Sequence, residues 1–371
     1  MSWSWKTKPR SIIKTVQWFP YFAALEGENW NKKSSFVSKN KGKPVHPVRR
    51  SYIYSAHGDE DTWLSSISYK DYLSGQKDTK ETEANGRMDK GAFEFFGFGY
   101  VKDNGEIAVS EVGNKIVHGT FDDEDYLKQL LKLRLPNYTY ETGKIKNEKF
   151  IFPFQLVLKA FESYESLNRT ELALLFGCDD ESEIPVALRA IGQFKEMYQS
   201  MEKKNDTVFI KQTFEKVFIE NYGSMPNQAD SYYDYAEAFS RTLVYTGLFS
   251  LSGRSIASKL RVAKYSEMKV KLLQDKYEFY FPAEISSLDE YMQWYGSCHA
   301  VVLPWEKVEE RRSIISDKAT LLIEKIQVAD EEYQNKADIS LEELQSIVET
   351  AKGSSDVNDL KEFENILSSP L

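Results

Sequence analysis

The sequence predicts a mainly α-helical protein with small β-hairpins, an α+β chain of 371 residues. Three observations carry that expectation. Apolar residues recur at helical spacing through most of the chain, as with Tyr235, Phe239 and Leu243. Strand-type patterning is confined to two short stretches, each turning at a glycine. Two helix starts show a capping box, in which a cap residue is followed three positions later by a glutamate: Asn168 with Glu171, and Ser340 with Glu343.

The elements follow in order. Ile12 to Leu25 is an apolar helical stretch interrupted at Pro20, and Glu26 to Trp30 ends it. Tyr69 to Arg87 is polar and reads partly as an exposed loop. Phe98, Tyr100, Ile107 and Val109 alternate on either side of Asp103-Asn104-Gly105, the strongest hairpin signal in the chain. Asp122 to Leu135 is an amphipathic helix that starts with acids and stops at Pro136. Further helices are expected from Phe154 to Tyr164, Leu172 to Phe176, and Ser182 to Glu202. Others are expected around Phe209, Phe214 and Phe218, and from Tyr232 to Thr246. Leu248 to Ala257 reads as a second hairpin turning at Ser252-Gly253. After Trp305 the chain becomes acidic, helical and nearly free of aromatics, with the look of a linker or arm.

The two hairpins suggest a repeat. Gly97-Phe98 leads to Gly105-Glu106-Ile107-Ala108-Val109-Ser110, and Gly247-Leu248 leads to Gly253-Arg254-Ser255-Ile256-Ala257-Ser258. Each follows a candidate helix. Helices followed by a two-stranded wing are the order of a winged helix-turn-helix, whose last helix before the wing enters the major groove. Generic α+β structure gives the same short pattern. The expected division is 1–145 for a first winged-helix-like subdomain with a basic N-terminal arm, 146–303 for a second, and 304–371 for the acidic helical linker.

Composition removes several classes. Hydrophobic residues are 41% and aromatics 14%, too many for a disordered chain. Cys178 and Cys298 cannot form a disulfide scaffold and suit a reducing cytoplasm, the expected location. The longest stretch without an acid, lysine or arginine is Tyr291 to Trp305, short of the ~20 residues that span a bilayer. No membrane partner is expected. No apolar signal core marks secretion.

Charge is unevenly placed. The net is −9, yet residues 1–50 hold 11 Lys or Arg against Glu26 and Glu28. A basic segment on an acidic protein points to a polyanion bound at one end. A solubilising tail is the alternative, but Trp3, Trp5, Trp18 and Trp30 are interleaved with the charges and normally pack. The candidate DNA contacts here are Lys6, Lys8, Arg10, Lys32, Lys33, Arg49 and Arg50. Arg87 and Lys90 precede the first hairpin. Arg241 and Tyr245 lie on the helix before the second, and Arg254 near its tip. Arg241 either makes a bidentate guanine contact or pairs with Glu237 one turn earlier.

Enzymatic motifs are missing. The sequence has no P-loop or dinucleotide fingerprint, no G-x-S-x-G elbow and no H-E-x-x-H pair. The nearest approach to a Glu-x-Lys half-site of a magnesium nuclease is Glu267-Met268-Lys269, in a stretch of helical character. No catalytic residue and no metal ligand is assigned, and no cofactor is expected in this chain.

Several motifs nonetheless resemble those of the AlwI-like type IIS restriction and nicking endonucleases, which include the BstNBI group. They are Pro9-Arg10-Ser11, Glu26-Gly27 with Trp30, and Gly97 through Gly113. Leu127 to Lys132 with Pro136, Arg241 to Phe249, and Tyr295-Gly296 leading to Leu303-Pro304 complete the set. Their order and spacing cover most of the chain. The resemblance implies two winged-helix-like recognition subdomains, then a helical linker, then a PD-(D/E)xK nuclease domain with magnesium. It also implies a bacterial restriction-modification system, a short asymmetric duplex site, and cleavage to one side of it. This sequence ends where the nuclease domain is expected to begin, so the reading is a DNA-recognition region. A nuclease domain or small catalytic subunit becomes the expected partner besides double-stranded DNA. The alternatives are a stand-alone DNA-binding regulator and an intact nuclease using Glu267 with Lys269.

Overall fold

The computed structural model describes residues 3–9, 11–35, 44–59, 62–74, 83–140, 145, 149–200, 206–253, 258–328 and 339–368. The expected class holds: helices dominate, with small antiparallel sheets. The chain divides into two compact units. The first comprises Met1–Thr246, Leu251–Leu260 and Phe279–Val301; the second comprises Gly247–Ser250, Arg261–Glu278 and Val302–Leu371.

The first unit opens with α1 (Ile12–Ala23), which buries Ile12, Thr15, Phe19 and Phe22 on one stripe. The helix runs through Pro20 instead of breaking there. Proline removes one donor, while Phe19 and Phe22, fully buried on either side of it, hold the last turn against the core. Helices α2 (Pro47–His57), α3 (Thr62–Ser65), α4 (Tyr69–Leu73) and α5 (Glu83–Phe95) follow. Helices thus occupy both ends of a stretch that reads as loop from its polarity. Strands β1 (Gly99–Val101) and β2 (Ile107–Val109) form the expected hairpin, with Tyr100 opposite Ala108 and Gly105 at φ +90° in the turn. Residues 27–30 add a third strand-like edge. Gly27 N donates to Ile107 O at 2.9 Å, Ile107 N to Glu28 O at 3.0 Å, and Trp30 N to Gly105 O at 2.8 Å.

After α6 (Glu111–Val117) and α7 (Asp123–Lys132) the same order recurs. Helix α8 (Pro153–Ser163) leads to the short strand β3 (Leu167–Asn168) and then to α9 (Arg169–Leu175). The Asn168–Glu171 capping box forms as expected. Helices α10 (Ile184–Gln199) and α11 (Thr207–Tyr222) intervene before α12 (Ala229–Val244) and the hairpin β4 (Phe249–Ser252) and β5 (Lys259–Val262). The return strand starts at Lys259, later than the sequence suggests, so the hairpin is longer than expected. Strand β3 pairs with β5, Leu167 opposite Leu260, which gives the sheet order β3-β5-β4. In both repeats, then, a short strand after the first helix pairs with the second strand of the hairpin.

The N-terminal segment is not a free arm. Trp3 and Trp5 are each 2% exposed. Trp3 packs on Phe176 at 4.0 Å, and Trp5 on Phe95 at 5.0 Å and Phe239 at 4.5 Å. The Trp5 indole N–H donates to Thr242 Oγ1 at 3.3 Å. These two side chains therefore join α5 of the first repeat to α9 and α12 of the second.

The second unit contains α13 (Glu267–Lys276), while α14 (Leu288–Tyr295) returns to the first. Helices α15 (Val308–Val328), α16 (Leu341–Gly353) and α17 (Val357–Ser368) complete the second unit. The expected Ser340–Glu343 capping box starts α16. A region that looks thin by composition has a core of its own. Ile315, Ala319, Leu322 and Ile326 form a stripe on α15 that packs with Leu344, Ala351, Leu360 and Leu367. The scarcity of aromatics had hidden it, because aliphatic side chains at helical spacing form most of it.

Candidate nucleic-acid interface

Helix α5 buries Gly86, Asp89, Ala92 and Phe93 and turns Arg87 to solvent, with Lys90 half-buried beside it. Its rotation is fixed by a polar clamp. Asp89 Oδ2 accepts the Tyr52 hydroxyl at 3.0 Å and contacts His57 Nε2 at 2.8 Å. Both partners come from α2, and the Trp18 ring of α1 lies 4.2 Å from that of His57. A carboxylate 5% exposed holds its position only with such partners. Sequence reading missed this clamp, although one signal was available: Asp89 occupies a position on the apolar stripe of α5.

Around Arg87 several cations lie within electrostatic reach of one another, with Glu83 and Glu94 beside them. Arg87 lies within electrostatic reach of Arg49, which, after burial, feels Glu83 and then Arg87. His46 has its pKa lowered by burial first, then by Arg49, with Glu83 opposing and Lys33 adding to the drop. On the other side Lys6 feels Glu94 and Lys90. Lys32, Lys33 and Lys8 are exposed. The face thus runs from Lys32 and Lys33 past His46 to Arg87, Lys90 and Lys6.

Two expected contacts do not belong to it. Arg49 is 8% and Arg50 5% exposed. Arg49 donates to Trp30 O at 3.0 Å and Asn31 Oδ1 at 2.6 Å; Arg50 donates to Glu83 Oε1 at 3.1 Å and Tyr72 O at 2.7 Å. These guanidinium groups satisfy buried carbonyls and tie α2 to its neighbours, so they are removed from the contact set. They still contribute positive potential beneath the face.

The second hairpin helix looks different. Arg241 is bound to Glu237 at 2.8 Å, the helical pairing that was the alternative reading. Glu237 also holds Arg169 at 2.8 Å. Asp230 and Asp234 lie along the same outward side of α12, with side chains 74% and 46% exposed. Tyr245 is half-buried and meets Tyr126 edge-on at 5.1 Å. Arg10 and Arg254 lie outside the described residues.

Some of the motifs that carry the family resemblance, from Gly97 to Gly113, Leu127 to Lys132 and Tyr295-Gly296, meet inside the first unit. Ser110 Oγ donates toward Gly97 O and Phe98 O at 2.7 and 2.8 Å, and Val112 N donates to Gly296 O at 3.0 Å. The Tyr295 hydroxyl donates to Phe95 O at 2.9 Å. Lys132, fully buried, donates to Ser297 O at 2.7 Å and to Tyr295 O, and burial pushes its pKa down to about 7. These residues join the hairpin, α7 and α14, which is a structural task.

The described residues around Lys269 do not fit a magnesium ion. Lys269 is bound to Glu364 at 2.7 Å, and Glu364 also meets Arg311 at 2.6 Å and Lys318 at 2.8 Å. One carboxylate among three cations repels a divalent ion, which needs several oxygens. Among the described residues no group of three or more His, Cys, Asp or Glu could hold a metal ion. Nor is any described helix long and apolar enough to cross a membrane.

Comparison with protein families finds a match to the AlwI restriction endonuclease model over residues 95–366. The match begins at the end of α5, so the cationic face lies N-terminal to it. No curated protein matches the chain.

Proposed function

The chain belongs to the AlwI restriction endonuclease family, and from that premise we propose that it supplies sequence-specific recognition of double-stranded DNA for a type IIS restriction or nicking enzyme. One observation carries the reading: the helix preceding the first hairpin turns Arg87 to solvent, next to Lys90, which is paired with Glu94, and within electrostatic reach of further cations. That is the order of a winged helix, with α5 as the helix that enters the major groove. The second repeat has the same order but an acidic outer helix face, so the two halves are unequal readers. Unequal readers suit a short asymmetric site. Residues 1–145 and 146–303 act as the two recognition subdomains, and the helices of 304–371, which share a compact unit with 261–278, as the spacer that sets the distance to the cut. Phosphodiester cleavage is assigned to a PD-(D/E)xK nuclease domain with magnesium, acting in a bacterial cytoplasm.

Substitution on the two helices tests the assignment. Arg87→Ala should cost ~1–3 kcal/mol at the cognate site and relax preference at one base pair. Arg241→Ala should change binding by less than about 0.5 kcal/mol, because it removes a surface ion pair. Titration of both variants against single-base variants of the site separates the outcomes. Loss of base preference with Arg241→Ala, and none with Arg87→Ala, would move the reader to α12.

Cleavage has its own test. Plasmid DNA should stay intact with this chain in magnesium, since Lys269 lies on a helix and is neutralised by Glu364. Cutting that is abolished by Glu267→Ala would make the chain a nuclease in its own right.

A further inference from the structure

We propose that Lys6, together with Lys90, seats one phosphate of the bound DNA duplex beside the recognition helix. This rests on the DNA-recognition reading and adds to it a specific subsite. The ammonium of Lys6 is held from below by rings: its Nζ is 4.2 Å from the centroid of Tyr140 and 5.8 Å from that of Phe95. Ser4 Oγ and the Tyr140 hydroxyl, 2.6 Å apart, fix that ring, and Trp5 locks the backbone on the other side. Gly91 adjoins it: a Cβ there would stand 3.4 Å from Lys6 Nζ, an ordinary contact. Lys90 is one residue away on α5 and is bound to Glu94 at 2.7 Å.

What this ammonium lacks is an oxygen. Among the described residues Lys6 Nζ donates no hydrogen bond to the protein, although it is half-buried. An ammonium has three donors, and its partial withdrawal from water with no protein acceptor carries a desolvation cost. Ring faces return part of that cost but take no hydrogen bond. A phosphate oxygen arriving from the groove beside α5 would satisfy it. The other charged groups facing Lys6 are Glu94 and Lys90, with Tyr140 as the adjoining phenol. In the free protein burial lowers the Lys6 pKa to about 8, Glu94 raising it and Lys90 lowering it further. An anion bound there favours the charged form, so the seat takes up a proton when DNA binds above that pH.

The experiment measures duplex affinity and its salt slope at pH 7 and pH 9 for the unmodified chain, Lys6→Gln and Lys6→Arg. Between pH 7 and 9 the unmodified chain should lose several-fold in affinity, as the ammonium deprotonates. Lys6→Arg, charged at both pH values, should bind at pH 9 nearly as it does at pH 7. Lys6→Gln should bind more weakly at pH 7, show no such pH dependence, and have a log–log salt slope smaller by about 0.9. If Lys6→Gln matches the unmodified chain in affinity, slope and pH profile, the seat is refuted while DNA recognition stands. If the unmodified chain binds no duplex at either pH, the recognition reading fails and the seat with it.

Discussion

Affinity for a cognate duplex should fall roughly a thousandfold between 50 and 200 mM salt, the result expected if about six phosphates are neutralised at a slope of ~0.9 each. The cations counted are Lys6, Lys8, Lys32, Lys33, Arg87 and Lys90, all at least partly accessible. The whole chain carries −9, which by itself repels DNA. The local face wins because screening limits each charge to a Debye length of ~8–10 Å at ordinary salt. Single substitutions at Lys32 or Lys33 should each lower the slope by about 0.9 and weaken cognate and random duplexes alike, since phosphate contacts carry no sequence information. Removing the first ten residues would not be a clean test, because Trp3 and Trp5 leave the core with them. Filter binding or fluorescence anisotropy across a salt series gives the slope. A slope near 2 would mean that the basic face is not where DNA sits.

The sequence made legible what short-range chemistry determines. The Asn104-Gly105 turn, the capping boxes at Asn168 and Ser340, and the acids opening α7 all formed where local rules place them. The repeat of helix and hairpin was visible for the same reason. What stayed hidden depends on partners far along the chain. The edge at residues 27–30 has no strand pattern of its own and exists because β2 offers open hydrogen-bonding groups. Arg49 and Arg50 read as a surface cluster, yet the carbonyls of Trp30 and Tyr72 draw them inward. Asp89 stands on the apolar stripe of α5, and its partners Tyr52 and His57 come from another helix. In α12 the sequence offered two partners for Arg241, a base or Glu237, and the packed chain supplies the second. For the candidate site, then, residue types were readable, but the split between buried structural cations and accessible ones was not.

Glu364→Gln should destabilise the second unit by ~3–5 kcal/mol, the effect of stripping the countercharge from buried cations. Glu364 is 2% exposed and binds Lys269 from α13, Arg311 and Lys318 from α15, while itself lying on α17. Three helices therefore depend on one carboxylate. Burial pushes its pKa up, but Lys269, Lys318 and Arg311 outweigh burial and hold it at about 2. Relative to an ordinary value of 4.5 that is about 3 kcal/mol of stabilisation in the ionised form. The folded pKa is depressed, so this stability is fully present above about pH 4.5 and is lost as pH falls from there toward 2. The variant should lack that acid dependence. Lys318→Met should cost less than Glu364→Gln, since Glu364 keeps Lys269 and Arg311, and adding Lys318→Met to Glu364→Gln should recover part of the loss by removing one unpaired charge. Hydrogen exchange of amides 308–328 and 357–368 localises the effect to this unit. Equal exchange in Glu364→Gln and the unmodified chain at neutral pH would show that the cluster does not hold these helices together.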